Sequence, residues 1–360
     1  MIRWATAAAI LLLLGGCARE RAEPEPPAPA PTPAPPAVER GGTTLAGVRR
    51  RGALVCGVNE GLVGFAYRDN RGVWRGFDVD VCRAVAAAAL GDGNRVRFLP
   101  LSAEARFEAL REGRVDLLVR NTSLTLRRDA SEGVDFPAVT YFDGQGFLAR
   151  RSLALTSASE LQGARVCVQQ GAAGEANLRD YARRRALEVE VVRLPDAAAA
   201  RDAYARELCD AYTTDVSQLA AARSLLSDPT RHVILPDVIS KETLGPVVRQ
   251  GDPAWADLVR WTVWALVAAE EAGITAASVD RVDPASTEPE ILRLVGLEGE
   301  LGRTLGLDDR WAANAIRAVG NYGEVFERNL GADSPLRLER GLNALWTADS
   351  RGLMYAPAFR

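Results

Sequence analysis

The stretches LVCGV at residues 54–58, DVDVCRAVAAAAL at residues 78–90 and VRFL at residues 96–99 decide the fold class. The first and third are short, largely apolar runs that favour β-strands. The second places Val81, Val85 and Ala88 at helical spacing and ends before Gly91, which is typical of a helix terminus. A strand, a helix and another strand at this spacing indicate a parallel βαβ unit whose helix covers the sheet.

The same alternation continues along the chain and then begins again. Ser102 can cap a helix that ends near Gly113, and residues 115–119 form the next apolar run. The pattern restarts with a strand at 165–168, followed by a helix near 175–184, strands at 189–192 and 211–213, and a helix near 217–226. Because 360 residues exceed what one hydrophobic core usually holds, we expect an α/β protein with two lobes.

The composition excludes several functional classes. Apolar residues make up 48% of the chain and charged residues 25%, with a formal net charge of −3, so nucleic acid is not an expected partner. The single histidine, His232, cannot form a two-histidine zinc motif, and the single lysine, Lys241, does not belong to a phosphate-binding loop. We therefore expect neither a metal nor a cofactor.

Residues 1–16 have the features of a secretory signal peptide. Arg3 precedes an apolar run over residues 4–14 that is too short to span a bilayer, and small residues follow it. The sequence Leu14-Gly15-Gly16-Cys17 resembles a bacterial lipobox, which implies that Cys17 is lipidated and becomes the mature N-terminus. The alternative is a plain signal peptide in which Cys17 is incidental.

Residues 17–42 are predicted to form a spacer behind this anchor. Eight of the thirteen residues from Pro24 to Pro36 are proline, a composition that favours an extended polyproline helix over a packed core. These features predict a periplasmic lipoprotein whose globular body is held off the membrane, with the lipid anchor as its only membrane contact.

Four further cysteines fit an oxidising compartment. Cys56, Cys82, Cys167 and Cys209 are even in number and show no C-x-x-C spacing. Three pairings are available, and we favour Cys56–Cys82 with Cys167–Cys209 because each bridge then stays within one half of the chain. The alternative is four buried free thiols.

Longer motifs follow one another along the body of the chain. They are CGVN (56–59), GFDVD (76–80), RNT (120–122), YFDGQGF (141–147), TTD (213–215), ISKE (239–242), LGP (244–246), GNYG (320–323) and RGLN (340–343). With these motifs in this order, residues 44–360 resemble the periplasmic amino-acid-binding proteins of ABC importers, solute-binding protein family 3. Within that family the sequence is similar to the general L-amino-acid-binding group.

The resemblance implies a periplasmic binding protein type II fold, in which two α/β lobes close on a ligand. Lobe 1 would comprise residues 43–146 and 244–360, including a C-terminal helical extension, and lobe 2 would comprise residues 147–243. The two crossover strands of the hinge would lie near residues 143–150 and 236–248. The role of the segment 284–360 is not implied, although its helical pattern suggests that it packs on lobe 1.

The resemblance also assigns ligand-binding residues in lobe 1. Arg128 matches the family's carboxylate-binding arginine, whose guanidinium is permanently charged and grips a carboxylate with two hydrogen bonds. Ser123 matches a position that is usually a hydroxyl residue, and Asn121 would offer its backbone carbonyl to the ligand ammonium. Without the resemblance, Arg128 between Arg127 and Asp129 has a second interpretation as part of a solvated turn.

In lobe 2 the resemblance assigns a helix start and an acid. Ala172 and Ala173 would open a helix whose free backbone N–H groups favour an anion. Asp215, at the end of a strand, matches the acid that pairs with the ammonium, whereas the sequence alone also allows it to cap the following helix.

Departures from the family pattern bear on specificity. Residues 172–174 are Ala-Ala-Gly where relatives tend to carry threonine, so backbone donors remain and hydroxyl donors do not. Leu62 and Ala103 occupy positions where many relatives have aromatic rings, and these smaller walls favour a broad range of side chains. Arg106 and Arg120 can reach a ligand's side-chain carboxylate, which would favour glutamate or aspartate; the alternative is that both pack at the surface.

These features together predict the non-catalytic substrate-binding component of an ABC amino-acid importer. It would bind L-amino acids as a monomer and present them to a permease and ATPase complex. The alternative function is an enzyme on the same fold, of the periplasmic cyclohexadienyl dehydratase type, which needs a buried acid/base pair. His232 is a poor candidate for such a pair, because it follows the turn at residues 228–231 and is expected to be solvated.

Overall fold

The computed structural model describes residues 42–360. The expected signal peptide, the anchor at Cys17 and the spacer up to residue 41 lie outside the described residues. The strands are β1 (Leu54–Val58), β2 (Tyr67–Arg68), β3 (Trp74–Arg75), β4 (Val96–Pro100), β5 (Leu117–Ser123), β6 (Val134–Asp135), β7 (Tyr141–Asp143), β8 (Gln145–Arg150), β9 (Arg165–Gln169), β10 (Glu190–Leu194), β11 (Ala211–Asp215), β12 (His232–Ile234) and β13 (Glu242–Arg249). The helices are α1 (Thr43–Arg51), α2 (Phe77–Leu90), α3 (Arg106–Arg111), α4 (Leu126–Ser131), α5 (Gly174–Arg185), α6 (Ala197–Ala205), α7 (Val216–Ser224), α8 (Pro253–Glu271), α9 (Pro289–Leu294), α10 (Leu301–Thr304), α11 (Trp311–Val319) and α12 (Tyr322–Asn329). Among the helices from residue 42 onward, none is both long and apolar enough to cross a lipid bilayer.

The first sheet has the strand order β4-β1-β5-β13-β6, with β7 also paired to β13. Strand β1 runs parallel to β4 and β5, and β13 runs antiparallel to β5. The alanine-rich helix α2 is buried over most of its surface, because it packs on the sheet with one face and against helices α8 and α11 with its other faces. It ends at Gly91, whose left-handed backbone (φ 76°) lets its N–H donate to the Ala87 carbonyl.

The second sheet has the order β10-β9-β11-β8-β12, in which β9 runs parallel to β10 and β11 while β8 runs antiparallel to β11 and β12. The chain passes between the two sheets at Gly144, between β7 and β8, and returns between β12 and β13. These connections lie side by side: Glu242 pairs with Asp143, and a Cβ atom on Gly144 would lie 2.3 Å from a methyl carbon of Val238. The expected two-lobed architecture with two crossovers is therefore confirmed.

One predicted strand and one predicted helix are present, but their bounds differ from the expected ones for physical reasons. The strand expected at 115–119 lies at 117–123, because the polar stretch Arg120–Ser123 is fully buried and continues the ladder that the apolar run begins. The helix expected to begin near Ser102 begins at Arg106, and the Ser102 hydroxyl instead accepts a hydrogen bond from the Ala105 N–H (3.2 Å).

Both favoured disulfides are present, so the free-thiol alternative is wrong. Cys56 in β1 is bonded to Cys82 in α2, and Cys167 in β9 is bonded to Cys209 just before β11. The first bridge joins a strand of the first sheet to the helix that packs on it, and the second joins a strand of the second sheet to the loop between α6 and β11.

The C-terminal segment packs on the first sheet's helices and also holds a crossover. Helix α11 lies along α2 and α8, and the Tyr322 hydroxyl at the start of α12 donates to the Thr140 carbonyl (2.9 Å). The buried Asn343 side chain accepts from the Phe142 N–H (2.7 Å) and donates to the Phe142 carbonyl (3.0 Å). This segment therefore fixes β7 immediately before the chain leaves the sheet.

Candidate functional site

A pocket of about 30 Å³ lies between the two sheets, where β5 and α4 face the starts of α5 and α7. The residues expected to bind the ligand all line it: Asn121, Ser123, Arg128, Ala172, Ala173 and Asp215. They come from both lobes and from positions almost a hundred residues apart in sequence. The carboxyl ends of β5, β9 and β11 carry much of this lining, which is where parallel sheets place their ligand-binding residues.

Arg128 is held in the pocket by its own helix. The Thr125 hydroxyl caps α4 by accepting from the Arg128 N–H (3.3 Å), and Nη1 of Arg128 donates to the Ser123 carbonyl (2.9 Å). Partial burial lowers the pKa of Arg128, and the nearby carboxylates of Glu242 and Asp215 act against that shift. The side chain is therefore oriented toward the pocket and does not belong to a solvated turn.

The first turn of α5 supplies donors on the opposite side. Among the described residues, the backbone N–H groups of Ala172, Ala173 and Gly174 have no hydrogen-bond acceptor. Free N–H groups at a helix start carry partial positive charge, and they attract an anion such as a carboxylate.

Asp215 ends β11 and occupies the N-cap position of α7, but its side chain makes no capping hydrogen bond to the helix. Its carboxylate accepts from the Gln218 side chain (2.8 Å). Burial, together with the neighbouring carboxylates of Asp143 and Glu242, raises the pKa of Asp215 well above its usual value. A cation placed here would neutralise this cluster.

Asp143 and Glu242 are functional candidates that the sequence analysis quoted in motifs without giving them a role. Burial raises the pKa of Asp143 to about 6, although its carboxylate accepts a short hydrogen bond from the Ser217 hydroxyl (2.5 Å). Glu242 accepts from Asn177 in α5 (2.7 Å) and from Ser240 (2.8 Å). The available signal was that each lies in one of the two expected crossovers, whereas the side-by-side pairing of the crossovers is seen only in the structure.

Asn121 has a backbone conformation that is unusual for a residue with a side chain. Its φ is 35°, its N–H donates to the buried carboxylate of Asp78 (2.9 Å), and its side chain accepts from Asn59 (3.0 Å). Burial raises the pKa of Asp78 to about 7. Strained backbone held by such contacts is frequent at binding sites, and here it sets the direction of the Asn121 carbonyl.

Arg106 and Arg120 are 4% and 5% exposed, so the alternative that they pack at the surface is wrong. Arg120 donates from Nε to the Leu101 carbonyl (2.8 Å), and burial lowers its pKa to about 10. Arg106 makes no hydrogen bond to any described residue, and its buried Nε has no partner. Burial, with Arg128 and Arg120 nearby, lowers the pKa of Arg106 well below its usual value.

Two sequence-based placements need correction. Ala103 lines the pocket, whereas Leu62, which forms a bridge with Ala66, lines an adjacent cavity together with Tyr212. His232 is half-buried and not solvated: its Nδ1 lies 2.7 Å from the Tyr204 hydroxyl, outside the pocket.

The pocket also has polar lining residues that the sequence analysis did not name: Gln169, Thr214 and Gln218. Gln169 and Thr214 lie at the ends of β9 and β11, and Gln218 lies in the first turn of α7, three residues after Asp215. Their closeness in sequence to the predicted residues was the available signal. In the part of the chain that the structure describes, no group of three His, Cys, Asp or Glu side chains is arranged to hold a metal ion.

The chain is similar to known proteins over most of its length. Residues 54–276 match the family described as bacterial extracellular solute-binding proteins, family 3. The glutamate/glutamine/aspartate/asparagine-binding protein BztA of Rhodobacter capsulatus is 52% identical over 318 residues, covering 88% of this chain and 94% of BztA. The general L-amino acid-binding periplasmic protein AapJ of Rhizobium johnstonii is 51% identical over 323 residues, covering 88% and 93%.

A solved structure is also similar over most of the chain. It is described as an ABC transporter periplasmic binding protein from Brucella ovis with glutathione bound. The two share 50% identity and a TM-score of 0.85, over 88% of this chain and 99% of the other.

Proposed function

The chain belongs to family 3 of the bacterial extracellular solute-binding proteins, and from this premise we propose that it binds L-amino acids between its lobes and delivers them to an ABC importer. The observation that carries the proposal is the pocket that holds the guanidinium of Arg128 and the carboxylate of Asp215, one from each lobe. A free amino acid is a zwitterion and needs both.

The charge arrangement supports recognition of that zwitterion. Arg128 and the N–H groups at the start of α5 offer donors for the α-carboxylate, and Asp215 with its neighbouring carboxylates offers acceptors for the α-ammonium. Charge-assisted hydrogen bonds contribute roughly 1.5–3 kcal/mol each. Three or four of them, less the entropy of capture, account for the ~8 kcal/mol of a micromolar dissociation constant.

The pocket favours acidic amino acids within a broad range. Three guanidinium groups line it (Arg106, Arg120 and Arg128), whereas Asp215 is the one carboxylate among its lining residues in the described chain. A ligand with a second carboxylate balances this excess, and the small wall at Ala103 leaves room for other side chains. The relatives agree: BztA is named for acidic amino acids and their amides, AapJ is named for L-amino acids in general, and glutathione keeps a free α-ammonium and α-carboxylate at its γ-glutamyl end.

Delivery requires that the ligand favour the closed arrangement of the lobes, since a ligand that binds open and closed forms equally shifts nothing. We propose residues 43–146 and 244–360 as lobe 1 and residues 147–243 as lobe 2, moving about the paired crossovers. Disulfides within each lobe leave such a hinge free. The protein would work as a periplasmic monomer, anchored through Cys17, and present its closed form to a permease and ATPase complex.

The test is to incubate the purified protein with L-glutamate, remove free ligand and analyse what is released on denaturation. Binding predicts one equivalent of unchanged L-glutamate per chain. The alternative, a dehydratase-type enzyme, predicts instead that prephenate-like acids are consumed at a rate proportional to protein concentration. Release of no amino acid from any of the common L-forms would reject the binding function.

A further inference from the structure

The pocket is not a closed compartment but the inner end of a larger groove. A groove of about 740 Å³ runs outward between α3 and α4 of lobe 1 and the start of α5 in lobe 2. The two spaces share lining residues at their junction: Ala103, Arg106, Arg128, Ala172 and Ala173. A groove of this size is far larger than the side chain of a common amino acid requires.

Arg106 stands at this junction without a partner. It is 4% exposed, its guanidinium carbon lies 4.9 Å from the centre of the Phe107 ring, and it makes no hydrogen bond to any described residue. An N–H donor buried without an acceptor is costly, because the Nε–H of Arg106 has lost water and gained no partner among the described residues. Its position therefore points to an acceptor that a ligand brings.

The outer part of the groove has one further cation available. Arg111 pairs with Glu132 (3.2 Å), and Arg179 shares Glu175 (3.2 Å) with Arg193 (2.9 Å), so both of these lining arginines already have a carboxylate partner. Arg127 also lines the groove, is exposed, and forms no ion pair with any residue from 42 to 360. The groove thus presents Arg106 at its inner end and Arg127 farther out, and Glu104 is its one lining carboxylate that forms no ion pair with any described residue.

The zwitterion site decides which ligands can reach this groove, and the inference rests on the proposed function in that respect. With the α-carboxylate on Arg128 and the α-ammonium near Asp215, only the ligand's side chain is free to extend outward. An ordinary α-linked dipeptide has already used one of those two groups in its peptide bond. A peptide joined through the side-chain carboxyl keeps both.

We propose that the groove is a subsite for γ-linked glutamyl peptides. The glutamyl α-groups would occupy the inner pocket, the amide carbonyl of the side-chain linkage would accept from Arg106, and the terminal carboxylate would pair with Arg127. The same Arg106 would meet the γ-carboxylate of free glutamate.

The test compares L-glutamate, γ-L-glutamylglycine and α-L-glutamylglycine by isothermal titration calorimetry. We expect γ-L-glutamylglycine to bind within about tenfold of L-glutamate and α-L-glutamylglycine to bind at least a hundredfold more weakly. Ala176→Trp fills the groove from the exposed face of α5, and Arg127→Met removes the outer cation. Each variant should weaken the binding of γ-L-glutamylglycine at least tenfold and keep the affinity for L-glutamate within twofold of that of the unaltered protein. Arg183→Met, which changes an exposed residue outside the lining, should alter neither affinity.

The outcomes separate the two claims. Binding of L-glutamate without γ-L-glutamylglycine overturns the subsite and leaves the proposed function in place. Equal binding of the α- and γ-linked peptides, or full γ-L-glutamylglycine affinity in Ala176→Trp, also overturns it. If neither L-glutamate nor another L-amino acid binds, the proposed function fails first and the subsite fails with it.

Discussion

Replacing Arg128 with methionine removes the group on which carboxylate recognition depends. Methionine retains much of the apolar stem, while the guanidinium and its hydrogen bond to the Ser123 carbonyl (2.9 Å) are lost. Because one nitrogen already serves Ser123, we count two bonds from the remaining donors to a ligand carboxylate. At roughly 1.5–3 kcal/mol each, they are worth about 3–6 kcal/mol.

Each 1.4 kcal/mol is about tenfold in affinity, so this loss predicts a dissociation constant at least about a hundredfold higher for Arg128→Met. The backbone donors at the start of α5 remain, which places the expected effect near the lower end of the range. Isothermal titration with L-glutamate measures it directly. Arg303→Met, which alters an exposed arginine paired with Glu300, is the matched control and should bind normally.

Thermal unfolding without ligand separates recognition from folding. Arg128 is only partly buried, so we expect its loss to change the melting temperature by a few degrees at most. An affinity within threefold of the unaltered protein, in a variant that folds normally, would refute the assignment of Arg128 to the α-carboxylate.

Three further predictions concern acidity, cross-links and the crossover. Because burial raises the pKa of Asp143 to about 6, lowering the pH from 7 to 5 protonates this carboxylate and makes the cluster around Asp215, which pairs with the ligand ammonium, less negative. If one carboxylate takes up a proton, the affinity for L-alanine should fall about tenfold from pH 7 to pH 5. A dissociation constant that does not change with pH in calorimetry would contradict this. Replacing Cys56 and Cys82 together by serine opens a loop with a sequence separation of 26 residues and should lower the free energy of unfolding by about 3–4 kcal/mol in urea titrations, with L-glutamate binding kept at 25 °C. Asn343→Ala removes two hydrogen bonds to β7 and should cost about 1–3 kcal/mol of unfolding free energy, whereas a cost below 0.5 kcal/mol would contradict its role in fixing that strand.

The alternation of apolar runs and helical spacing was sufficient to predict the parallel strands of both sheets and the helix at 78–90. The prediction succeeded because the buried apolar residues of a helix or a strand recur at the spacing that is characteristic of that element. The expected ligand residues also fall in one pocket, since the motifs that carry them lie at strand ends that the parallel topology brings together.

What the sequence did not reveal depends on contacts between distant segments. The cluster of Asp143, Asp215 and Glu242 exists only because two crossovers pair side by side, and no local pattern records that pairing. The burial of Arg106 was likewise hidden, because a charged residue on a short helix is usually exposed. The position of Leu62 was hidden for the same reason, since the cavity that it lines also involves Tyr212, which is far away in the sequence.

The most direct test of the central claim is a thermal-shift panel of the common L-amino acids on the unaltered protein and on the double variant Arg128→Met with Asp215→Asn. A ligand at a hundred times its dissociation constant adds about 2.7 kcal/mol of stability, which raises the melting temperature by several degrees. We predict shifts for many L-amino acids, largest for the acidic ones, and none for the double variant. The absence of a shift with every amino acid, or equal shifts in the double variant, would contradict a zwitterion site at this pocket.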